Sequence, residues 1–270
     1  MCLQTRGLEG AFVQVRVLGA HNLETAGTRH SCFLLDGALA LDAGSLVSAL
    51  TPEEHQRIEA ILLTHRHLDH TRDLPSLGLS TLNESGSIHV SGLSETLQAV
   101  RDHLLNDVMY PDFTHGLNSQ APKFQFRDIE PESWFGALTY DVKAIEVPHT
   151  APAVGYLVRS RSDICAGFSG DLGGQLGRFF AGERAPDVMF VECTFPDRLE
   201  DLARLTGHLT PSILRHELEG IRRAGHELPQ IVLVHMSFTD HAELSEQAMK
   251  MGKGLNAEVR PAFAGMVIDF

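Results

Sequence analysis

The run Thr64-His65-Arg66-His67-Leu68-Asp69-His70 packs three imidazoles and one carboxylate into a single short segment. Histidine is the commonest metal ligand, and imidazoles beside a carboxylate suit zinc, iron or manganese. The run directly follows Ala60-Ile61-Leu62-Leu63, an apolar stretch that reads as a buried strand. Alternate side chains on an extended segment share a face, so His65 and His67 are placed to grip one ion. Asp69 and His70 come where the chain turns and reach toward a second.

The spacing H-x-H-x-D-H over His65–His70 resembles the metallo-β-lactamase superfamily, and the resemblance runs along most of the chain. The superfamily's third histidine is matched by His149 in Val147-Pro148-His149-Thr150. Its bridging aspartate is matched by Asp171 in Phe168-Ser169-Gly170-Asp171, and its last histidine by His235 in Val232-Leu233-Val234-His235. The resemblance implies an α+β fold, a four-layer αβ/βα sandwich with two mixed, mostly antiparallel sheets and a binuclear metal site at the strand ends. One ion would be held by His65, His67 and His149, the other by Asp69, His70 and His235, with Asp171 between them. The implied cofactors are two divalent transition-metal ions, Zn2+ first, with Mn2+ or Fe2+ as alternatives. Asp69 would also direct the attacking water, which makes it a catalytic candidate as well as a ligand.

Three further segments resemble the class II cyclic-nucleotide phosphodiesterases. They are Asn106–Phe113 after a helical stretch, Glu192-Cys193-Thr194-Phe195 at a strand end, and Gly207-His208-Leu209-Thr210-Pro211 before a helix. Leu68 inside the histidine motif also matches that branch. Two places depart from it. Thr71-Arg72-Asp73 stands where the branch has small or apolar residues leading to Gly, and Met109-Tyr110 precedes Pro111 where a tryptophan is usual. The implied reaction is hydrolysis of cAMP or cGMP to the 5′-monophosphate, with a small phosphodiester as the binding partner. The alternative is an activity like the tRNA 3′-end endonucleases, which share the core but carry a long Gly-rich basic arm with no match here. Hydrolysis of a lactone or thioester, or a non-catalytic binding role, stands further off.

A departing ribose oxygen needs a proton. His208 is the expected general acid, because Gly207 allows close approach and the turn before a helix exposes the ring. Its competing role is to cap the helix that Thr210-Pro211 opens. His21, after the first strand, and His115, after Phe113, are the expected substrate-binding neighbours.

The elements that must position these residues follow from pattern. Ala11–Leu18 alternates apolar and polar positions as a strand. Cys32–Leu35 and Ala38–Leu41 make a hairpin around Asp36-Gly37. Thr51 caps a helix with Pro52 at its first position and acids in its first turn, and that helix leads into the strand before His65. Leu138–Val147, Ala153–Val158, Asp163–Gly167, Val188–Glu192 and Gln230–His235 read as strands, and Pro211–Ala224 as a helix. The chain from 1 to 270 reads as one domain with a helical insertion around 71–137. The clear element of that insertion is an amphipathic helix, Ser94–Leu105, capped by Ser94 and striped by Leu97, Val100, Leu104 and Val108. With Pro111–Phe113 it is the expected surface for a homodimer.

Composition narrows the partners. The 22 Lys and Arg against 35 Asp and Glu give a formal charge of −13, which disfavours sequence-independent binding to a nucleic-acid backbone. A small phosphate ester stays compatible, since bound divalent cations reverse the local field. No apolar run approaches the roughly 20 residues that span a bilayer. The N-terminal segment, with Arg6 and Glu9, does not read as a secretory signal. Cys2, Cys32, Cys165 and Cys193 show no paired spacing, and the last three sit in apolar contexts, which points to a reducing cytoplasm.

Overall fold

The computed structural model describes residues 13–116, 121–182 and 184–270. Two seven-stranded sheets face each other. The first comprises β1 (Gln14–Gly19), β2 (Cys32–Leu35), β3 (Leu39–Leu41), β4 (Ala60–Leu62), β5 (Ile88–Gly92), β6 (Phe124–Asp128) and the chain-terminal β14 (Val267–Asp269). Their order is β14-β1-β2-β3-β4-β5-β6. The second comprises β7 (Trp134–Ala137), β8 (Tyr140–Val147), β9 (Ala153–Arg159), β10 (Cys165–Phe168), β11 (Val188–Glu192), β12 (Gln230–Val234) and β13 (Val259–Pro261), in the order β13-β12-β11-β10-β9-β8-β7.

Both sheets are mixed, as expected, but neither is mostly antiparallel. Each pairs three strand neighbours antiparallel and three parallel. Parallel neighbours require a crossover. Here the crossovers are α1 (Pro52–His55) before β4, α2 (Leu68–Thr71) and α3 (Leu74–Ser80) before β5, and α4 (Ser94–His103) before β6. In the second sheet a 3-10 turn at Leu176–Phe180 precedes β11, α5 (Glu200–Thr206) and α6 (Pro211–Arg223) precede β12, and α7 (His241–Leu255) precedes β13.

The layers follow from which side chains need burial. Val15, Val17, Leu39 and Leu62 of the first sheet meet Val142, Tyr156, Phe168, Phe190 and Val232 of the second in the central core. The outer face of the second sheet is covered by Leu214 and Leu218 of α6 and Leu244 and Ala248 of α7. The apolar run before His65 feeds both layers. Ala60 and Leu62 point between the sheets, while Ile61 and Leu63 point to the helices. A strand buried on both faces reads as continuous rather than alternating.

The segment around 71–137 is not a helical insertion. It supplies β5 and β6 to the first sheet and β7 to the second. Its strands are short and partly polar (Phe124–Asp128 buries only its first residue fully), so periodicity did not announce them. The helix expected at Ser94–Leu105 runs Ser94–His103, and Leu93 rather than Ser94 occupies the cap position. Its stripe is covered by the chain itself, since Leu97 and Val100 pack with Phe113 and Phe124. Val108 lies outside the helix and is 85% exposed. Of the first expected strand, Ala11 and Phe12 lie outside the described residues. Among the described residues no helix is long and apolar enough to cross a membrane. Cys32, Cys165 and Cys193 are buried free thiols, while Cys2 lies outside the described residues.

Candidate metal centre

Several strands deliver polar residues to the same end of the sandwich. Asp42 follows β3, His65 follows β4, His149 follows β8, Asp171 follows β10, Glu192 ends β11 and His235 follows β12. Asp42 and His235 leave their strands with φ of 58° and 54°. Left-handed backbone is uncommon for residues with a Cβ and is tolerated where the surroundings demand a particular side-chain direction. His67 sits at the N-terminus of α2, which carries Asp69 and His70.

Two groups of ligand atoms converge, each with members within 4.8 Å of one another: His65, His67 and His149, and Asp69, His70, Asp171 and His235. His65 Nε2 and His67 Nδ1 are 2.9 Å apart, and His149 Nε2 is 3.3 Å from the same His67 nitrogen. Asp171 Oδ2 faces both groups. It lies 3.4 Å from His70 Nε2 and 3.3 Å from His235 Nε2, and 3.8 Å from His65 Nε2 and 4.0 Å from His149 Nε2. Asp69 Oδ2 stands 3.2 Å from His235 Nε2 and 3.5 Å from His70 Nε2.

The outward nitrogens fix the tautomers. Thr64 Oγ1 donates to Asp42 at 3.0 Å, so it accepts from His65 Nδ1, also at 3.0 Å. Thr194 Oγ1 donates to Glu192 Oε2 at 2.9 Å, so it accepts from His235 Nδ1 at 2.9 Å. His149 Nδ1 donates to the Gly207 carbonyl at 3.0 Å. His70 Nδ1 donates to Asp42 Oδ2 at 2.7 Å. Each of these rings, when neutral, turns a lone pair inward. His70 Nε2 is buried and has no hydrogen-bond partner among the described residues. Lone pairs and carboxylates packed this closely repel unless a cation lies among them, and the neutral-imidazole, carboxylate donor set suits divalent transition metals. The residues present fit two such ions.

The electrostatics agree. Burial opposes charge on His70, but Asp171, Asp42 and Asp69 outweigh it and hold its pKa well above the ordinary value. Burial likewise opposes ionisation of Asp69 and Asp171. His70 and His235 reverse this and hold both carboxyls well below the carboxylate range. Burial, followed by neighbouring imidazoles, pushes His65 and His67 down; burial also lowers His149, against the pull of Asp171.

His208 stands beside this centre. Its ring stacks on His235 at 5.3 Å and meets His149 edge-on at 5.1 Å. Its Nδ1 donates to Glu192 Oε1 at 3.0 Å. Glu192 is fully buried and also accepts from the backbone N–H groups of Leu172 and Leu209 and from Thr194. Burial opposes charge on His208, but Glu192 outweighs it and raises the pKa to about 9. The helix-capping role belongs elsewhere, since Thr210 Oγ1 accepts from the Ile213 N–H and caps α6. Gly207 ends α5 at φ 71°, and a Cβ there would press to 3.1 Å from His149 Nδ1.

The two expected substrate neighbours separate. His21 is buried and pairs in a bridge with Met236, next to His235. His115 does not reach the centre. Its side chain is 77% exposed and bonds Asp112 at 2.8 Å, beside a cleft lined by Leu82, Phe113 and Lys123. Phe113 is buried against Gly78, and that anchor turns the following residues outward. Sequence reasoning passed over Asp42, Thr64 and Thr194 as supports, and gave Glu192 no role. The signal was an acid at the end of an apolar strand, in Leu41-Asp42 and in Val191-Glu192.

Fold and site define a class. The family profile described as the beta-lactamase superfamily domain matches residues 34–236, and the chain belongs to that family. Its two-sheet sandwich is the metallo-β-lactamase fold, and members of that family are metal-dependent hydrolases. Among particular proteins, the chain is 28% identical over 121 residues to ribonuclease Z of Pyrococcus abyssi (strain GE5 / Orsay), a match that spans 43% of this chain and 34% of that protein. Its fold is similar to that of unliganded yeast PDE1, with a TM-score of 0.80 and 18% identity over 96% of this chain and 99% of that one. It is also similar to the short form of human tRNase Z, with a TM-score of 0.68 and 22% identity over 94% of this chain and 98% of that one.

Proposed function

We infer that this protein is a binuclear-metal phosphodiesterase that hydrolyses the 3′,5′-cyclic phosphate of cAMP or cGMP to the 5′-monophosphate. The observation that carries the reading is the Glu192–His208 pair set beside the two groups of inward lone pairs. His65, His67 and His149 would hold one ion and Asp69, His70 and His235 the other, with Asp171 serving both; zinc suits the donors, and manganese or iron are alternatives. Bound there, divalent ions neutralise phosphoryl oxygens and acidify water. The chain's own groups do the rest. Asp69 accepts a hydrogen bond from the attacking water and aims it. His208, protonated and held by Glu192 through Nδ1, offers its Nε2 proton to the departing ribose 3′-oxygen. General acid assistance of this kind contributes roughly 10²–10⁴-fold.

A second reading has its own support in the identity with ribonuclease Z, which favours an RNA 3′-end endonuclease. The same hydrolytic groups serve either substrate. The net charge of −13 weighs toward the small ester. Metal-reconstituted protein assayed on cAMP, cGMP, bis(4-nitrophenyl) phosphate, a precursor tRNA and a lactone separates them. Turnover of a cyclic nucleotide to its 5′-monophosphate is expected. Cleavage of the precursor tRNA with both cyclic nucleotides untouched would replace the first reading with the second.

A further inference from the structure

Beside the metal-facing residues lies a second set of imidazoles that the motifs do not cover. His21 forms backbone bridges to His30 and to Met236. Its N–H donates to the Arg29 carbonyl at 2.9 Å, and the Asn22 N–H donates to the Met236 carbonyl at 3.3 Å. Its ring lies 5.2 Å from that of His241, the first residue of α7. His30 lies near Asp69, since its Cβ and the Asp69 carbonyl both crowd the Cα of Gly44.

These side chains are open in an unusual way. His21 and His30 are each 7% exposed. Nδ1 of His21, His30 and His241, together with Oδ1 of Asn22, is buried without a hydrogen-bond partner among the described residues. Buried polar atoms are nearly always satisfied, so a cluster of open ones marks a ligand or ordered water. The segment that carries them is fixed in place. Glu24 pairs with Arg72 and, at 3.6 Å, with Arg29, which ties this loop to α2 and its Asp69 and His70. Arg72 belongs to the Thr71-Arg72-Asp73 stretch that departs from the cyclic-nucleotide phosphodiesterase pattern.

The chemistry of the cluster selects its ligand. The imidazoles and the Asn22 carboxamide offer both donors and acceptors. Such a row matches hydroxyl groups, which both donate and accept.

We propose that His21, Asn22, His30 and His241 form a subsite that hydrogen-bonds the free sugar hydroxyl of a phosphodiester seated at the metal centre, which in a 3′,5′-cyclic nucleotide is the 2′-hydroxyl. This rests on the phosphodiesterase reading above and names the part of the substrate that the metal-facing residues do not contact. Two esters with the same leaving group test it: uridine 5′-(4-nitrophenyl phosphate), which carries ribose hydroxyls, and bis(4-nitrophenyl) phosphate, which carries none. His241→Ala, Asn22→Ala and His21→Ala should each lower the ratio of kcat/KM, nucleoside ester over bis-aryl ester, by about tenfold, chiefly through KM. In the unaltered protein the 2′,3′-dideoxy ester should show a comparable loss, and the variants should lose little more on it. Equal losses on both esters, or an unchanged ratio in the half-exposed His241→Ala and Asn22→Ala, would overturn the subsite and leave ordered water as its occupant. A shifted ratio with no turnover of cAMP or cGMP would uphold the subsite and sink the cyclic-nucleotide reading. Hydrolysis of neither ester and of neither cyclic nucleotide would sink both.

Discussion

The Nδ1–H of His70 donates to Oδ2 of Asp42 across 2.7 Å, and both side chains are buried. Asp42 reaches this position because its backbone turns left-handed at the end of β3, and its other oxygen accepts the Thr64 N–H at 2.8 Å. One carboxylate thus orients His70 directly and His65 through Thr64. Partners of this kind typically change metal affinity by about 10- to 100-fold when removed. Asp42→Ala should weaken metal retention by that factor, read by competition with a chelator. Retention equal to that of the unaltered protein would show that His70 is held by packing alone.

Asp171 is placed to act on both groups, with the four imidazole nitrogens of His65, His70, His149 and His235 within 4.0 Å of its Oδ2. Elemental analysis of protein loaded with zinc or manganese should find about two ions per chain, on the logic of two-metal sites. Asp171→Ala should lower both occupancies together, whereas His67→Ala should first empty the group it shares with His65 and His149. Loss of a single ion from Asp171→Ala would reject the shared role.

His208→Ala should depress hydrolysis of a cyclic nucleotide by about 10²-fold or more. A ribose oxygen is a basic leaving group and needs the proton; a nitrophenolate needs it far less, so bis(4-nitrophenyl) phosphate should suffer a much smaller loss. Metal content should stay constant. Because Thr210 is the cap of α6, it is Thr210→Ala that should cost about 1 kcal/mol of stability. Equal losses on both substrates in His208→Ala, with full metal content, would remove the acid role.

A pH-dependent prediction comes from α1, which leads into β4 and so to His65. Glu54 closes the capping box by accepting the Thr51 N–H at 2.8 Å and accepts from Arg16 at 2.8 Å. The Thr51 backbone bond first, and Arg16 second, lower its pKa below the ordinary value. A carboxyl depressed in the folded state adds stability that is present above its unfolded pKa and fades as pH falls through the folded one. Glu54→Gln should therefore lower the melting temperature at pH 6, with the gap closing as the pH is taken below about 4. A gap that is independent of pH would assign the effect to something other than this carboxylate.

The amino-acid sequence by itself determined which chemistry the chain could carry. His65, His67, Asp69 and His70 are neighbours along a strand end and a single helical turn, so their grouping is local and needs no long-range contact. The strands that deliver His149, Asp171 and His235 were legible for a related reason. β8 alternates buried apolar and polar residues, β10 and β12 are near-continuous buried runs, and each ends where a polar residue has to leave the core. Tertiary structure decided what local pattern cannot encode. Asp42 and Glu192 gain their roles only because β3 and β11 are brought beside β4 and β12 by crossovers, across separations of many residues. His21 and His115 looked equivalent as loop histidines. The bridge to Met236 buries one beside His235, while the anchoring of Phe113 against Gly78 turns the other to solvent. The strands β5, β6 and β7 were missed because each is only four or five residues long and β6 and β7 are partly exposed edge strands, too short for a periodicity of their own; their pairing partners, rather than their composition, hold them in the sheets.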